Sequence, residues 1–355
     1  MTTLERYNEL RKKYLAMAKR NNLTETTLAS YENTAKLLYD FLLEREKSGN
    51  LSADGYVSFD DIQAWIDHLA EHGNKPSTIK RKLVAASRLF SFATKPYIAP
   101  ELRYEQSPVS SDFYPKVPAE SVPEALTDDE TIGLWEYKKN YRVGEAQFSR
   151  NYAIVTLILT TGLRNKEVLD LTLDSIDLDT GEIYVRQGKG RKDRIVDMDN
   201  GPDGLCAAAL ENYLRIGDRP LNAPDSAPLF GTTAGHAFGD PSANSGAEKW
   251  HRGSRQWLTE VIERHVYNQV GRHDCRSHDL RHTFARIQLN STGNLAELQS
   301  AMGHTSPVVT ERYSGRLMQR RRREETKKII AARDEAAAQL RHMNEQERKV
   351  IPFTA

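Results

Sequence analysis

Cysteine is nearly absent: Cys206 and Cys275 are the only two among 355 residues, and neither sits in a CxxC pair or any metal-ligand spacing. The chain therefore offers no disulfide framework, and a reducing cytoplasmic setting is expected. No run of about 18 apolar residues occurs, so no membrane span is expected. The first twenty residues, MTTLERYNELRKKYLAMAKR, are charged throughout and lack the apolar centre of a signal peptide. An excess of charge is missing too: 50 Lys and Arg against 49 Asp and Glu leave a formal charge of +1. Global charge does not announce a nucleic-acid binder, so any such case must rest on local patches. There is no internal repeat, no low-complexity block and no GxxxxGK[ST] loop to suggest ATP.

What is present reads as two domains, a count the length accommodates. The first hundred residues are helical in pattern. Leu28, Tyr31, Leu37, Leu38, Phe41 and Leu42 recur at helical spacing, and Ser58 before Phe59-Asp60-Asp61 marks a helix start leading to Ile62, Trp65, Ile66 and Leu69. Ser77 opens a third helix with Ile79, Leu83, Ala86 and Phe90 on one face. From His72 to Pro100 every charged side chain except histidine is basic: Lys75, Lys80, Arg81, Lys82, Arg88 and Lys95. Such uniformity is the footprint of phosphate contacts as well as of a solvated helix face. Six prolines between 96 and 123 then suggest an extended linker over 96–124.

The second domain opens at Thr127, followed by Asp128, Asp129 and Glu130, a capping-box start. An apolar helix from Tyr152 to Thr160 runs into Thr161-Gly162-Leu163-Arg164. Residues 182–197 alternate as a hairpin around Gly188-Lys189-Gly190-Arg191-Lys192-Asp193. A Pro, Gly and Ser-rich loop spans 217–247 around a short strand at 228–230, and helices are expected near 255–268, 279–291 and 294–302.

Four motifs carry chemistry. In Ser277-His278-Asp279-Leu280-Arg281 a helix would put His278 and Arg281 on one strip at the rim of an apolar face formed by Leu280, Phe284 and Ile287. Arg164, after the Thr161-Gly162 break, sits three residues before Glu167, a spacing that permits a guanidinium–carboxylate fork. Lys189 lies between two glycines at a hairpin tip, where the backbone can turn sharply and leave the lysine uncovered. Gly303-His304 precedes Tyr313. Each alone has an ordinary structural reading: a surface pair, a salt bridge, a turn lysine. The HxxxH of His278 and His282 has no plausible third ligand nearby, and no metal is expected.

Taken in order, TGLRNKEV at 161–168, GKGRKDR at 188–194, SHDLRHTFA at 277–285 and MGHTSPVVTERY at 302–313 resemble the tyrosine recombinase, or phage-integrase, family, which includes two-domain Xer-like recombinases. The likeness spans about 125–315, with a weaker match over 20–95. It implies a mainly α fold with a small β-hairpin or sheet: an α+β catalytic domain and a helical, SAM-like core-binding domain forming a two-domain, C-shaped DNA clamp. The implied boundaries are 1–95 for the DNA-binding domain, 96–124 for the linker, 125–315 for the catalytic domain and 316–355 for a helical tail. Only about twenty residues precede the core-binding match, so no further DNA-binding domain is expected ahead of it.

Carried over residue by residue, Arg164 and Arg281 resemble the phosphate-binding arginines and His278 the histidine that assists proton transfer. Lys189 resembles the general acid, His304 stands where some members have Trp, and Tyr313 resembles the nucleophile, with Glu167 in support. The chemistry fits these residue types. Two arginines can grip both non-bridging oxygens of a phosphodiester without losing their charge, a tyrosine oxygen can form a 3′-phosphotyrosine, and a lysine can protonate the departing 5′-oxygen. No cofactor, metal or ATP is expected. Candidate DNA contacts are Lys75, Lys80, Arg81, Lys82 and Arg88 in the first domain and Arg186, Arg191, Lys192 and Arg194 on the hairpin. The partners implied are double-stranded DNA with paired half-sites and further copies of the chain, as a dimer and a synaptic tetramer.

The tail adds a separate expectation. Ile329, Ile330, Ala332, Ala336, Ala337 and Leu340 form an apolar stripe on a charged helix, which must pack on its own catalytic domain or on another subunit. The resemblance implies docking into a neighbouring protomer. Two rivals share some of these features: a type IB topoisomerase, which relaxes DNA without exchanging strands, and a DNA-binding regulator without catalysis. The target DNA and the biological task, whether integration, excision or dimer resolution, are not written in the motifs.

Overall fold

The computed structural model describes residues 1–21, 23–52, 54–116, 125–186, 193–216, 224–233, 250–303 and 320–348. Its contacts divide the chain into two units, Met1–Glu120 and Ser121–Ala355, each with its own core.

The first unit is built from α1 (Thr3–Arg20), α2 (Glu25–Lys47), α3 (Phe59–Glu71) and α4 (Pro76–Ala93). Reciprocal capping by Thr2 with Glu5 and by Ser58 with Asp61 fixes the starts of α1 and α3. Pro76 stands at the first position of α4, where its missing N–H costs nothing. The apolar faces meet around Tyr7, Leu10, Leu42, Ile62, Trp65, Leu83 and Phe90, all essentially inaccessible to water.

The stretch expected to be a linker departs from that reading. Ile98, Leu102, Tyr104 and Val109 are buried in the first core. The Tyr104 hydroxyl accepts from the Val57 N–H at 3.0 Å, and Arg6 Nε donates to the Glu101 carbonyl at 2.8 Å. Up to residue 116 the segment is a covering strap rather than a free tether, because four apolar side chains among its prolines find a place in the first core.

The second unit contains α5 (Asp128–Trp135), α6 (Glu145–Thr161), α7 (Asn165–Asp170), β1 (Ile176–Asp177), β2 (Glu182–Val185), β3 (Arg194–Asp197), α8 (Leu205–Ile216), β4 (Gly231–Thr233), β5 (Trp250–Arg252), α9 (Arg255–Val270), α10 (Ser277–Thr292), α11 (Leu295–Ala301) and α12 (Arg320–Arg348). The α6 helix is buried on every side from Phe148 to Thr161, so the unit is organised around it. The hairpin is present, and β1 adds a third antiparallel strand in the order β1-β2-β3. Ile183, Val185 and Val196 face the core, while Tyr184 and Ile195, directly opposite each other, face out. The strand expected at 228–230 is not formed there; the chain enters a strand three residues later, as β4, paired with β5. The described residues match the mainly α fold with a small sheet, and among them no helix is long and apolar enough to cross a membrane.

The tail helix α12 packs on its own unit, against α5, α8 and α10. Ile329, Ala337 and Leu340 are 1–2% exposed and belong to the unit's main core. Polar contacts fix the docking: Arg333 Nε to Asp199 Oδ2 at 3.2 Å, Asn344 Nδ2 to the Ala208 carbonyl at 3.1 Å and Arg341 Nη1 to Asp203 Oδ1 at 2.6 Å. Burial pushes the Asp199 carboxyl above its usual range, opposed by Arg333 and the N–H groups of Cys206 and Leu205. The stripe therefore packs within the chain, the first of the two alternatives that its pattern left open.

Candidate active site

The site forms where α6, α7, α10 and the end of α11 converge. Gly162 closes α6 in the left-handed conformation, φ +63°. Its missing side chain is required twice over, because a Cβ there would collide with the Phe284 ring of α10. This close approach brings Arg164 and Arg281 to one place. Arg164 is the N-cap of α7. Its backbone N–H donates to Glu167 Oε2 at 2.8 Å, its Nη1 to Glu167 Oε1 at 2.8 Å and its Nη2 to the Gly303 carbonyl at 2.9 Å. Arg281 donates to the Gly162 carbonyl and, at 2.7 Å, to the Met302 carbonyl.

The rim geometry expected for His278 and Arg281 holds for one of them. His278 is exposed, but Arg281 is 4% exposed and sunk beneath it. The sinking follows from its two carbonyl partners, which lie inside the turn. Arg164, Ser277, His278 and Arg281 line a cavity of about 220 Å³ together with Leu163, Asn165, Lys166 and Arg255. A guanidinium has five N–H donors, so Arg164 still has donors beyond those bonded to Glu167 and Gly303. His282 stacks obliquely near His278, centroids 6.2 Å apart, and its imidazole is held below the usual value by burial and then by the charge of His278. No group of three or more His, Cys, Asp or Glu able to hold a metal ion is found among the described residues.

Glu167 is 5% exposed and carries two arginines. Arg194 grips it through Nη1–Oε1 at 2.9 Å and Nη2–Oε2 at 3.1 Å. Burial by itself would raise the Glu167 carboxyl, but the Arg194 hydrogen bonds, the Arg164 N–H and both positive charges bring it below the ordinary range.

The candidate DNA contacts differ in how the fold exposes them. Lys80, Arg81 and Arg88 lie exposed along one face of α4 with Ser77, Val84 and Ser91, and Lys75 is exposed at its N-cap. Lys82 leaves that face: it is half-buried, donates to Asn74 Oδ1 at 3.1 Å and has its ammonium pKa lowered by burial and then by Arg81. Arg186 is exposed but turned onto Asp174, Nη1 to Oδ1 at 3.0 Å. Arg194, with 17% of its side chain exposed, faces Glu167 rather than solvent. Lys189, Arg191, Lys192, His304 and Tyr313 lie outside the described residues.

Sequence reasoning passed over Arg255. It is the first residue of α9, capped by Ser254, which accepts from the Trp257 N–H at 3.0 Å. The Ser254 cap could have marked the helix start, but nothing local says that the first turn faces the cavity.

A helical unit with a small antiparallel sheet places two arginines beside a histidine around an open cavity, and guanidinium groups are donors of the kind that grip an oxyanion. The chain belongs to the phage integrase family, whose model matches residues 124–320. Its activity is that of a tyrosine-type site-specific recombinase, which breaks and rejoins DNA strands. It is 29% identical to the tyrosine recombinase XerC of Oceanobacillus iheyensis over 324 residues, covering 88% of this chain and 92% of that protein. It is 28% identical to the XerC of Roseiflexus castenholzii over 301 residues, covering 84% and 85%. The fold is shared with the XerH site-specific recombinase bound to palindromic difH substrate, at TM-score 0.65 and 20% identity over 88% of this chain and 82% of that one. It is also shared with a lambda integrase dimer bound to a COC′ core site, at TM-score 0.61 and 14% identity over 88% and 98%.

Proposed function

We propose that the cavity beneath His278 receives the scissile phosphate of double-stranded DNA, and that recombination proceeds through a 3′-phosphotyrosine on Tyr313. Arg164 and Arg281 hold the non-bridging oxygens and stabilise the charge that grows on them in the transition state. His278 assists proton transfer at the attacking hydroxyl, His304 adds a contact to the phosphate, and Lys189 protonates the departing 5′-oxygen. A free 5′-hydroxyl from a second strand then attacks the phosphotyrosine and releases the enzyme. The phosphodiester energy is kept in the covalent link, so neither ATP nor a metal enters the scheme.

The observation that carries this reading is the convergence of Arg164 and Arg281 on the two carbonyls that lead directly into His304 and the Tyr313 segment. The first unit acts as the core-binding domain, with the Lys80, Arg81 and Arg88 face of α4 and its N-cap Lys75 against the duplex. Arg191 and Lys192 meet the backbone beside the cut. The target is a pair of half-sites, bound first by a dimer and then joined in a synaptic tetramer, in the cytoplasm. The DNA-bound XerH and lambda integrase folds support the first part of that assembly.

The test is a single-turnover trap on a nicked two-half-site DNA. Wild-type protein gives a protease-sensitive covalent adduct in EDTA and without ATP, and Tyr313→Phe binds equally but gives none. An adduct from Tyr313→Phe, or a strict Mg²⁺ requirement, overturns the proposal. Relaxation without exchange between two sites assigns the chemistry to a topoisomerase instead.

A further inference from the structure

We propose that Arg194 is a positioning residue for the reaction: it occupies both oxygens of Glu167 so that Arg164 keeps its orientation and charge for the phosphate. The inference rests on the phosphate-binding reading of Arg164.

Arg194 begins β3, where it pairs with Val185 at the loop end of the hairpin ladder. Its fork onto Glu167 crosses from the sheet to α7, and both partners are largely shielded from water. One carboxylate thus faces two guanidinium groups. A buried carboxylate with Arg164 as its only cation would draw that guanidinium into a two-point fork, the preferred geometry of such a pair. The plane of Arg164 would then turn from the cavity, and its charge would be cancelled where screening is weak. With Arg194 present, the side chain of Arg164 shares only Oε1, at 2.8 Å, and its Nη2 reaches the Gly303 carbonyl. The cluster of two arginines and one glutamate retains a net positive charge directed at the cavity.

Gly303 supplies an independent observation. Its φ is +57°, and a Cβ there would lie 3.0 Å from Arg194 Cζ and 3.1 Å from Nε. The guanidinium of Arg194 therefore lies flat against the same turn that Arg164 holds by its carbonyl. Glycine is required both by the backbone and by this contact. Strand β3, helix α7 and the end of α11 are pinned together at one side chain. A residue that tracked the DNA backbone would instead be solvated and without a carboxylate partner.

The experiment measures single-turnover cleavage and half-site affinity for Arg194→Lys, Arg164→Lys and the double variant in the full chain, with a thermal unfolding curve for each. Lysine keeps the charge but loses the fork. Arg194→Lys is expected to cleave about tenfold or more slowly with affinity within about twofold of wild type, a loss of transition-state stabilisation rather than of binding. Because Arg194 acts through Arg164, the double variant is expected within about threefold of Arg164→Lys alone. Gly303→Ala, which removes no charged group but crowds the Arg194 guanidinium, is expected to show the same rate loss on bound DNA. Independent, multiplying losses in the double variant would reduce Arg194 to a structural brace. A weaker, less salt-dependent affinity with normal cleavage would return it to the DNA backbone. Wild-type protein that forms no Tyr313 adduct would fail the underlying mechanism, whereas a normal adduct with multiplying losses fails this inference alone.

Discussion

Arg164 and Arg281 donate to the carbonyls of adjacent residues, Gly303 at 2.9 Å and Met302 at 2.7 Å. One guanidinium comes from the start of α7 and the other from the first turns of α10, so a single turn of chain fixes their spacing. The second unit thereby holds two permanent positive charges at a set separation; in the proposed mechanism this avoids reorganisation at the moment of cleavage.

Arg164→Ala and Arg281→Ala are each expected to lower single-turnover cleavage about 10²-fold or more. Their effects on stability should differ. Arg281 is 4% exposed and satisfies two carbonyls within the fold, so its removal should also lower the unfolding temperature. Arg164, with 24% of its side chain exposed, should cost less. Wild-type cleavage by either variant would remove it from the phosphate site.

Lys189→Ala should fail mainly at leaving-group protonation. A substrate with sulfur at the bridging 5′ position departs without a proton and should restore cleavage to this variant. Equal rescue of Tyr313→Phe, or no rescue of Lys189→Ala, would refute the assignment of the general acid.

Because α12 completes the core, Leu340→Ala should destabilise the catalytic unit by about 2–5 kcal/mol through the cavity it opens, seen in urea unfolding. Truncation after Lys328 removes Ile329, Ala337 and Leu340 together and should leave a catalytic unit that no longer unfolds cooperatively. A truncated protein with an unchanged transition would show that the helix merely rests on the surface.

His265 provides a pH dependence with a definite sign. It is fully buried with Nδ1 3.0 Å from the Tyr141 hydroxyl, and burial lowers its pKa from 6.5 to about 3. Between those values the unfolded chain binds a proton that the folded chain refuses, so this contribution to stability is intact above about 6.5 and falls as pH drops. Unfolding free energies measured from pH 7 down to about 4 should decline less steeply for His265→Gln than for wild type. Identical slopes would remove His265 as a cause.

Much of the site was legible because its signals are local. The capping boxes at Ser58 and Thr127 act over four residues, the Gly162 break ends its own helix, and the spacing of Arg164 and Glu167 spans one turn. What escaped depends on distant partners. Nothing near Arg194 announces that Glu167 lies across a sheet–helix gap, so its charge suggested DNA. Nothing in the proline-rich stretch announces that α1 and α4 leave a surface for Ile98, Leu102 and Tyr104. The apolar stripe of α12 was readable as a stripe, but which surface receives it depends on α5, α8 and α10 together. Arg255 was invisible because only the folded position of α9 brings its first turn to the cavity.

The burial of α12 also bears on synthesis. A chain leaves the ribosome from its N-terminus at about 5–20 residues per second, so Ile329, Ala337 and Leu340 emerge after Arg164, Arg281 and Tyr313. A nascent chain thus carries the Arg164 and Arg281 pair for a few seconds while the core of its second unit still lacks three of its side chains. A product cut short before α12 would leave the core of the second unit open where Ile329, Ala337 and Leu340 pack.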